Sequence, residues 1–188
     1  MQKNYIEALS RLKQFAELYP VNSSALAHYA LCLRKTNNLK KARHTLKKAE
    51  EVFQFDPLSW GEFFLLGSLQ KNNSNILSAK TPQQIIEIIC NYIDIDEVGD
   101  ALTILNFYLE KKEDEHILPL LLCYRGYLEK KIGMGKKSNK SFITAKSSKT
   151  KWDFVFRLES EKVLKTALVL NSNDYNALYH LGNLLAFK

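Results

Sequence analysis

From Ser24 to Pro57 the apolar positions recur with a helical period. Leu26, Tyr29, Ala30 and Leu33 set one stripe, Asn37 and Asn38 interrupt it, and Ala42, Leu46 and Ala49 resume it. This spacing predicts two helices joined by a short turn. Small residues at Ala30 and Ala42 let antiparallel helices approach closely, while Leu26, Leu33 and Leu46 fill the space beside them. Pro57 lacks the amide needed for the next helical hydrogen bond and is read as the end of the unit. One hairpin cannot bury its outer apolar face, so neighbours of the same kind are expected.

Residues 1–20 read as the second half of such a hairpin. Ala8, Leu12, Phe15 and Pro20 stand where Ala42, Leu46, Ala49 and a terminating proline stand later, and Ala8 and Ala42 lie 34 positions apart. Leu122, Gly126, Ser138, Phe142 and Ala145 keep the internal spacings of Leu26, Ala30, Ala42, Leu46 and Ala49. At the C-terminus Leu178, Leu181, Gly182 and Leu185 repeat the first-helix half. Gly182 is expected where two helices cross and a small residue is needed. The helix over 174–187 is expected to bury one face on Val163, Leu164 and Ala167, leaving Leu181, Leu185 and Phe187 open.

The middle of the chain departs from this order. A helix over 60–70 carries Phe63, Leu66 and Gly67, but Lys71 to Asn75 breaks the pattern and Ile76 to Lys80 has room for only a turn of helix. Thr81-Pro82-Gln83-Gln84 restarts it with the signature of a capping box and a proline at the first helical position. Ile85, Ile88, Ile89 and Tyr92 form the next stripe, and Ala101, Leu105 and Tyr108 its partner, across a turn from Asp96 to Asp100. A helix over 152–170 shows Ser160, Leu164 and Ala167 at second-helix spacing, with no complete first helix before it. The expectation is one all-α domain over 1–188, an α–α superhelix or solenoid of helical hairpins, irregular in the middle.

Composition and charge narrow the function classes. With 46% hydrophobic and 25% charged residues the 188-residue chain is of ordinary globular make-up. No apolar run approaches the ~20 residues of a membrane span, and the N-terminus lacks the order of a signal peptide. A cytoplasmic protein without membrane contact is expected. Cys32, Cys90 and Cys123 are scattered inside apolar stretches and read as buried thiols, not as a disulfide framework or metal set. Gly133-Met134-Gly135-Lys136-Lys137-Ser138 lacks the first glycine and the preceding strand of a phosphate loop. His28 and His180 are placed opposite the buried stripes, and with His44 and His116 they are too far apart for a dyad or zinc site. No catalytic residue, metal or cofactor is therefore expected. Arg157 and Glu159 lie beside Trp152, Phe154 and Phe156 and could line a polar pocket, although a surface pair over core aromatics is the plainer reading. Lys130 to Lys151 holds eight lysines and no acid. Such a run could meet an acidic partner or a phosphate backbone, but is read first as a solvated face. Nucleic acid ranks behind protein, because Tyr124, Tyr127 and Phe142 suit hairpin packing better than base stacking.

Phe63-x-x-Leu66-Gly67, Leu178-x-x-Leu181-Gly182 and Ala42-x-x-x-Leu46-x-x-Ala49 resemble the tetratricopeptide repeat, a 34-residue helix–turn–helix unit. The resemblance implies a right-handed superhelix that serves as a non-catalytic scaffold for protein or peptide partners. It also implies an inner groove lined by first-helix positions. In this sequence those are Arg34 and Lys35, Gln83 and Cys90, Tyr127, Lys130 and Lys131, and Asn176, Tyr179 and Asn183. Asn183 matches the asparagine of the family's carboxylate clamp, but Tyr179 stands where the clamp has lysine, so that activity is not implied. Phe55-Asp56-Pro57-Leu58, Phe154 to Glu159 and Tyr179 to Leu185 are further similar to the helical C-terminal region of large bacterial proteins of unknown function with a β-rich, mutarotase-like N-terminal domain. That resemblance implies a fragment of a longer chain, perched on its own N-terminal domain as the helical part of a carbohydrate-active enzyme, with Arg157 and Glu159 supporting the missing domain. An RNA-binding helical repeat is the third alternative. The open C-terminal helix adds an expectation of self-association.

Overall fold

The computed structural model describes residues 4–69, 75–111, 118–148 and 155–186. They form ten α-helices and one 3₁₀ turn. They gather into two compact units, Met1–Lys80 and Thr81–Lys188. Lys71 to Ser74, His116, Lys149, Lys151, Trp152, Phe154 and Phe187, all used in the sequence reading, lie outside the described residues.

The first unit contains α1 (Tyr5–Leu18), α2 (Ser23–Lys35), α3 (Leu39–Val52), α4 (Pro57–Leu69) and the 3₁₀ turn Asn75–Leu77. Asn4 and Asn22 begin α1 and α2 by accepting from the amides of Glu7 and Ala25, which satisfies donors the helix leaves free. The core is the predicted one. Ala30, Ala42, Leu46 and Ala49 are fully buried, with Leu26, Tyr29, Leu33 and Leu66 around them. The contribution of α1 is rotated from expectation, since Leu9, Leu12 and Ala16 pack on this core while Phe15 is largely exposed against Tyr19. An Ala at position 16 lets α1 lie closer than a Phe would. Pro57 also has a different role. Helix α3 already ends at Val52, where Phe53 turns extended, and Pro57 opens α4 behind Asp56, whose Oδ1 accepts from the Ser59 amide at 2.8 Å. A proline in the first turn loses no hydrogen bond. In place of a second helix after α4 the short 3₁₀ turn packs back onto it and buries Leu77 completely.

The second unit contains α5 (Pro82–Asp94), α6 (Val98–Glu110), α7 (Pro119–Lys131), α8 (Gly135–Ser147), α9 (Ser160–Leu170) and α10 (Tyr175–Ala186). The Thr81 and Gln84 capping box forms as read from the sequence, with both reciprocal hydrogen bonds. The stripes Ile85, Ile88, Ile89, Tyr92 and Ala101, Leu105, Tyr108 are buried. Helix α9 starts at Ser160, eight positions later than the sequence suggests, and packs on α7 and α10.

One turn geometry recurs in the three hairpins α2–α3, α5–α6 and α7–α8. Asn37, Asp96 and Gly133 adopt left-handed φ values of 62°, 58° and 81°. The next residue donates its amide back to the first helix: Asn38 to Leu33 O at 2.8 Å, Glu97 to Tyr92 O at 2.7 Å and Met134 to Glu129 O at 2.8 Å. This is the six-to-one bond of a Schellman motif. The same residue then accepts, at 3.0 Å each time, from the amide of Ala42, Ala101 or Ser138. Those three are the small residues at which the second helix meets the first.

Close approach is most demanding in α7–α8. A Cβ built on Gly126 would sit 2.8 Å from the Phe142 ring, and Ser138 Oγ donates to Gly126 O at 2.7 Å. Gly182 on α10 is different: nothing lies within 4 Å of an added Cβ. The expectation that Gly182 serves a helix crossing is therefore corrected, because the face it belongs to carries no packed helix among the described residues. Gly126→Ala should lower stability by about 1–3 kcal/mol through overpacking, whereas Gly182→Ala should raise it by roughly 0.5–1 kcal/mol through helix propensity. Thermal unfolding of the two variants checks the opposite signs.

Candidate functional site

The groove candidates of the first unit are already engaged. Arg34 projects from α2 onto α4, where its Nε and Nη2 each donate to the Glu62 carboxylate at 2.7 Å. Their side chains are only 7% and 0% exposed, so the pair is a buried tie between two helices. A bidentate geometry is what a desolvated ion pair needs to offset its loss of water. Lys35 stands 5.9 Å from the centre of the Tyr5 ring.

In the second unit the candidates divide in the same way. Asn176, at the start of α10, points its Nδ2 at the last carbonyls of α8, 3.4 Å from Ala145 O and Lys146 O and 3.3 Å from Ser148 O. It closes a helix end. Cys90 is buried, its Sγ 3.4 Å from the Tyr124 hydroxyl, which in turn lies 2.7 Å from Ser160 Oγ. Burial pushes the Cys90 thiol up to about 11, against the opposing Tyr124 hydrogen bond. Burial likewise pushes Cys123 up to about 12. Thiols held protonated in this way are poor nucleophiles. Arg157 and Glu159 form a half-buried bidentate pair at 3.1 and 2.9 Å. Burial pulls the Arg157 pKa down, but the Glu159 hydrogen bonds and charge outweigh it, leaving it raised. Gln83, Lys130, Lys131 and Tyr179 are exposed, and Tyr127 and Asn183 half-buried.

Sequence reasoning missed two groups. One is the polar interior of α7–α8, where Ser141 donates to Glu129 at 2.7 Å and accepts from Arg125 at 2.9 Å; the repeat spacing singles out Ser138 and gives no hint of the buried carboxylate partner of Ser141. The other is His180. Instead of facing away from the core it is buried with Ala177 and Leu184 on α10, and neither ring nitrogen has a hydrogen-bond partner among the described residues. Burial lowers its pKa, with the Asp174 charge opposing. His28 at the corresponding repeat position is half-buried, its Nδ1 2.7 Å from Ser24 O. The buried face of α10 is set by its packing on α9 and α8, which shifts it off the Leu178, Leu181, Leu185 stripe that the repeat pattern picks out.

Among the described residues no group of three or more His, Cys, Asp or Glu is placed to hold a metal ion. No described helix is long and apolar enough to cross a membrane.

Antiparallel helices joined by a three-residue left-handed turn, with small residues at the crossing, are the build of helical-hairpin repeat proteins. Residues 1–61 match the family model described as tetratricopeptide repeat, about a third of the chain. No curated protein matches the sequence. Among solved structures the chain is similar to one described as the APC/C hetero-tetramer Cut9-Hcn1, at 12% identity and a TM-score of 0.41, covering 98% of this chain and 40% of that one. It is also similar to the structure of Naa15/Naa10 bound to HypK-THB, at 17% identity and a TM-score of 0.39, covering 96% of this chain and 29% of that one. A third is YrrB, described as a TPR protein with an unusual peptide-binding site, at 13% identity and a TM-score of 0.35, covering 89% and 96%. The chain thus spans well under half the length of the first two. Nothing in these comparisons extends to the bacterial proteins with a mutarotase-like domain.

Two measurements follow from the buried polar groups. Arg34→Met should cost about 3–5 kcal/mol by removing the bidentate partner of the buried Glu62, and Arg34→Met combined with Glu62→Leu should recover most of it; urea unfolding of the cycle reads the difference. For His180 the folded pKa lies below the ordinary value, so its contribution to stability is intact above about pH 6.5. As the pH falls below that value the unfolded chain takes up a proton that the folded chain refuses, and stability declines. His180→Leu should flatten this part of the melting-temperature profile between pH 7.5 and about 5.5.

Proposed function

We propose that the protein is a non-catalytic scaffold of helical hairpins that binds another polypeptide through a helix, with the open face of α10 as the receiving surface and a second copy of the chain as an occupant. The observation that carries this reading is the empty position over Gly182. In α7 a Cβ added to the corresponding glycine, Gly126, would meet the Phe142 ring of α8 at 2.8 Å, whereas one added to Gly182 would meet nothing within 4 Å among the described residues. Around it Leu178 and Leu185 are 44% and 45% exposed and Tyr179 52%, and Asn183 is half-buried beside them. A glycine flanked by leucines is the surface an incoming helix needs for close packing. The tetratricopeptide-repeat match over 1–61 supports a binding role of the same general kind. Of the groove candidates, Gln83, Tyr127, Lys130, Lys131, Tyr179 and Asn183 keep accessible surface for a partner, while Arg34, Asn176 and Cys90 act in the fold. The Arg157 and Glu159 pair satisfies itself, so it is assigned no ligand.

Analytical ultracentrifugation over a range of concentrations tests the reading. The parent chain should gain mass as concentration rises, and a Leu178→Glu, Leu185→Glu variant should stay monomeric with unchanged helicity. A parent that remains monomeric throughout, or a variant that associates equally well, overturns the assignment of α10.

A further inference from the structure

The α7–α8 hairpin concentrates positive charge that its own carboxylates do not balance. Residues 118–148 carry seven Lys and Arg side chains against a single acid, Glu129. Glu129 is buried on Ser141, and Arg125 donates to the same hydroxyl. Six lysines remain, all exposed, and none makes an ion pair among the described residues. Five of them, Lys130, Lys131, Lys136, Lys137 and Lys140, crowd the turn end of the hairpin.

Two of the five stand where the helix itself disfavours them. Lys136 and Lys137 occupy the first turn of α8, at the positive end of the helix dipole. Met134, at the N-cap, makes no side-chain cap hydrogen bond. Cations and open amides therefore face the same way, an arrangement that favours a negative partner over the free state. Charge alone would fit a solvated surface, but the tip is also apolar. Ile132 and Met134 are 39% and 41% exposed between the two lysine pairs. Gly135 has nothing within 4 Å of an added Cβ, so the backbone there is open to approach. Among the described residues of the hairpin no aromatic ring is fully exposed for base stacking: Tyr124 is buried and Tyr127 is half-buried with Lys131 Nζ 5.8 Å from its centre. Its one arginine is held by Ser141.

We infer that the α7–α8 turn is a docking surface for an acidic protein segment bearing apolar side chains, its carboxylates on the five lysines and its apolar groups on Ile132 and Met134. This site is independent of the α10 face. Fluorescence anisotropy tests it with three labelled probes of equal net charge: a peptide of glutamates interrupted by leucines, an oligoglutamate, and a single-stranded uridine-rich RNA. The leucine-containing peptide should bind tightest, with affinity falling as salt rises. Lys136→Gln, Lys137→Gln, Lys140→Gln should weaken it by about tenfold or more, and Lys40→Gln, Lys47→Gln, Lys48→Gln on α3, the same loss of charge, by less than about twofold. Ile132→Ser, Met134→Ser should bring the leucine-containing peptide down to the oligoglutamate. Tighter binding of the RNA, equal losses in the α3 control, or no measurable binding of the peptide would each overturn the inference. Circular dichroism of these exposed-site variants confirms that the hairpin is retained.

Discussion

Two helices form a hairpin of this type only if their backbones come closer than two ordinary side chains allow. In α2–α3 that approach is made by Ala30 and Ala42, both without exposed surface. In α7–α8 it is made by Gly126 and Ser138, with the Phe142 ring 2.8 Å from where a Cβ on Gly126 would be. The rest of each hairpin follows from that contact. It brings Leu26, Leu33 and Leu46 within reach of one another in the first unit, and it lets a serine hydroxyl find a backbone carbonyl in the second. Larger residues at these points would separate the helices and leave the flanking leucines around a void.

A second layer of specificity is polar and buried. Arg34 and Glu62 tie α2 to α4, Glu129, Ser141 and Arg125 tie α7 to α8, and Tyr124 links Cys90 on α5 to Ser160 on α9. Each set adds little net stability compared with an apolar filling, but a misplaced helix would strand a charge or hydroxyl away from water. These ties restrict which neighbours each helix accepts. They also explain why several side chains that the repeat pattern offers for binding are inward and occupied.

The hairpins, their turns, the Thr81 cap and most of the core were legible in the sequence because each depends on local spacing. The stripe from Ile85 to Tyr92 or from Ala101 to Tyr108 needs only helical periodicity to be recognised. Phases set by tertiary packing were not legible. Helix α1 buries Ala16 where Phe15 was expected, and α10 buries His180, because the orientation of each is fixed by the helices it leans on. Roles that require knowing a distant partner were hidden for the same reason. Nothing near Arg34 in sequence announces Glu62, 28 positions away, and nothing near Asn176 announces the end of α8. The basic run was visible as composition, but its placement around an apolar turn emerges only when the hairpin is folded.

The shared turn has a consequence for how such a chain can vary. In α2–α3, α5–α6 and α7–α8 a single residue, Asn38, Glu97 or Met134, bonds backward to the first helix and forward to the small residue of the second. Adding or deleting one residue there would rotate the second helix by about 100° relative to its partner. The small residue would leave the crossing, and the whole apolar stripe behind it would move toward solvent. The turn thus behaves as a reading frame in three dimensions. Changes of length are tolerable between hairpins and ruinous within them, so insertions in diverging copies of this chain should gather in stretches such as that between Ser147 and Ser160, while the three-residue turns keep their length even as their sequences drift from Asn to Asp to Gly.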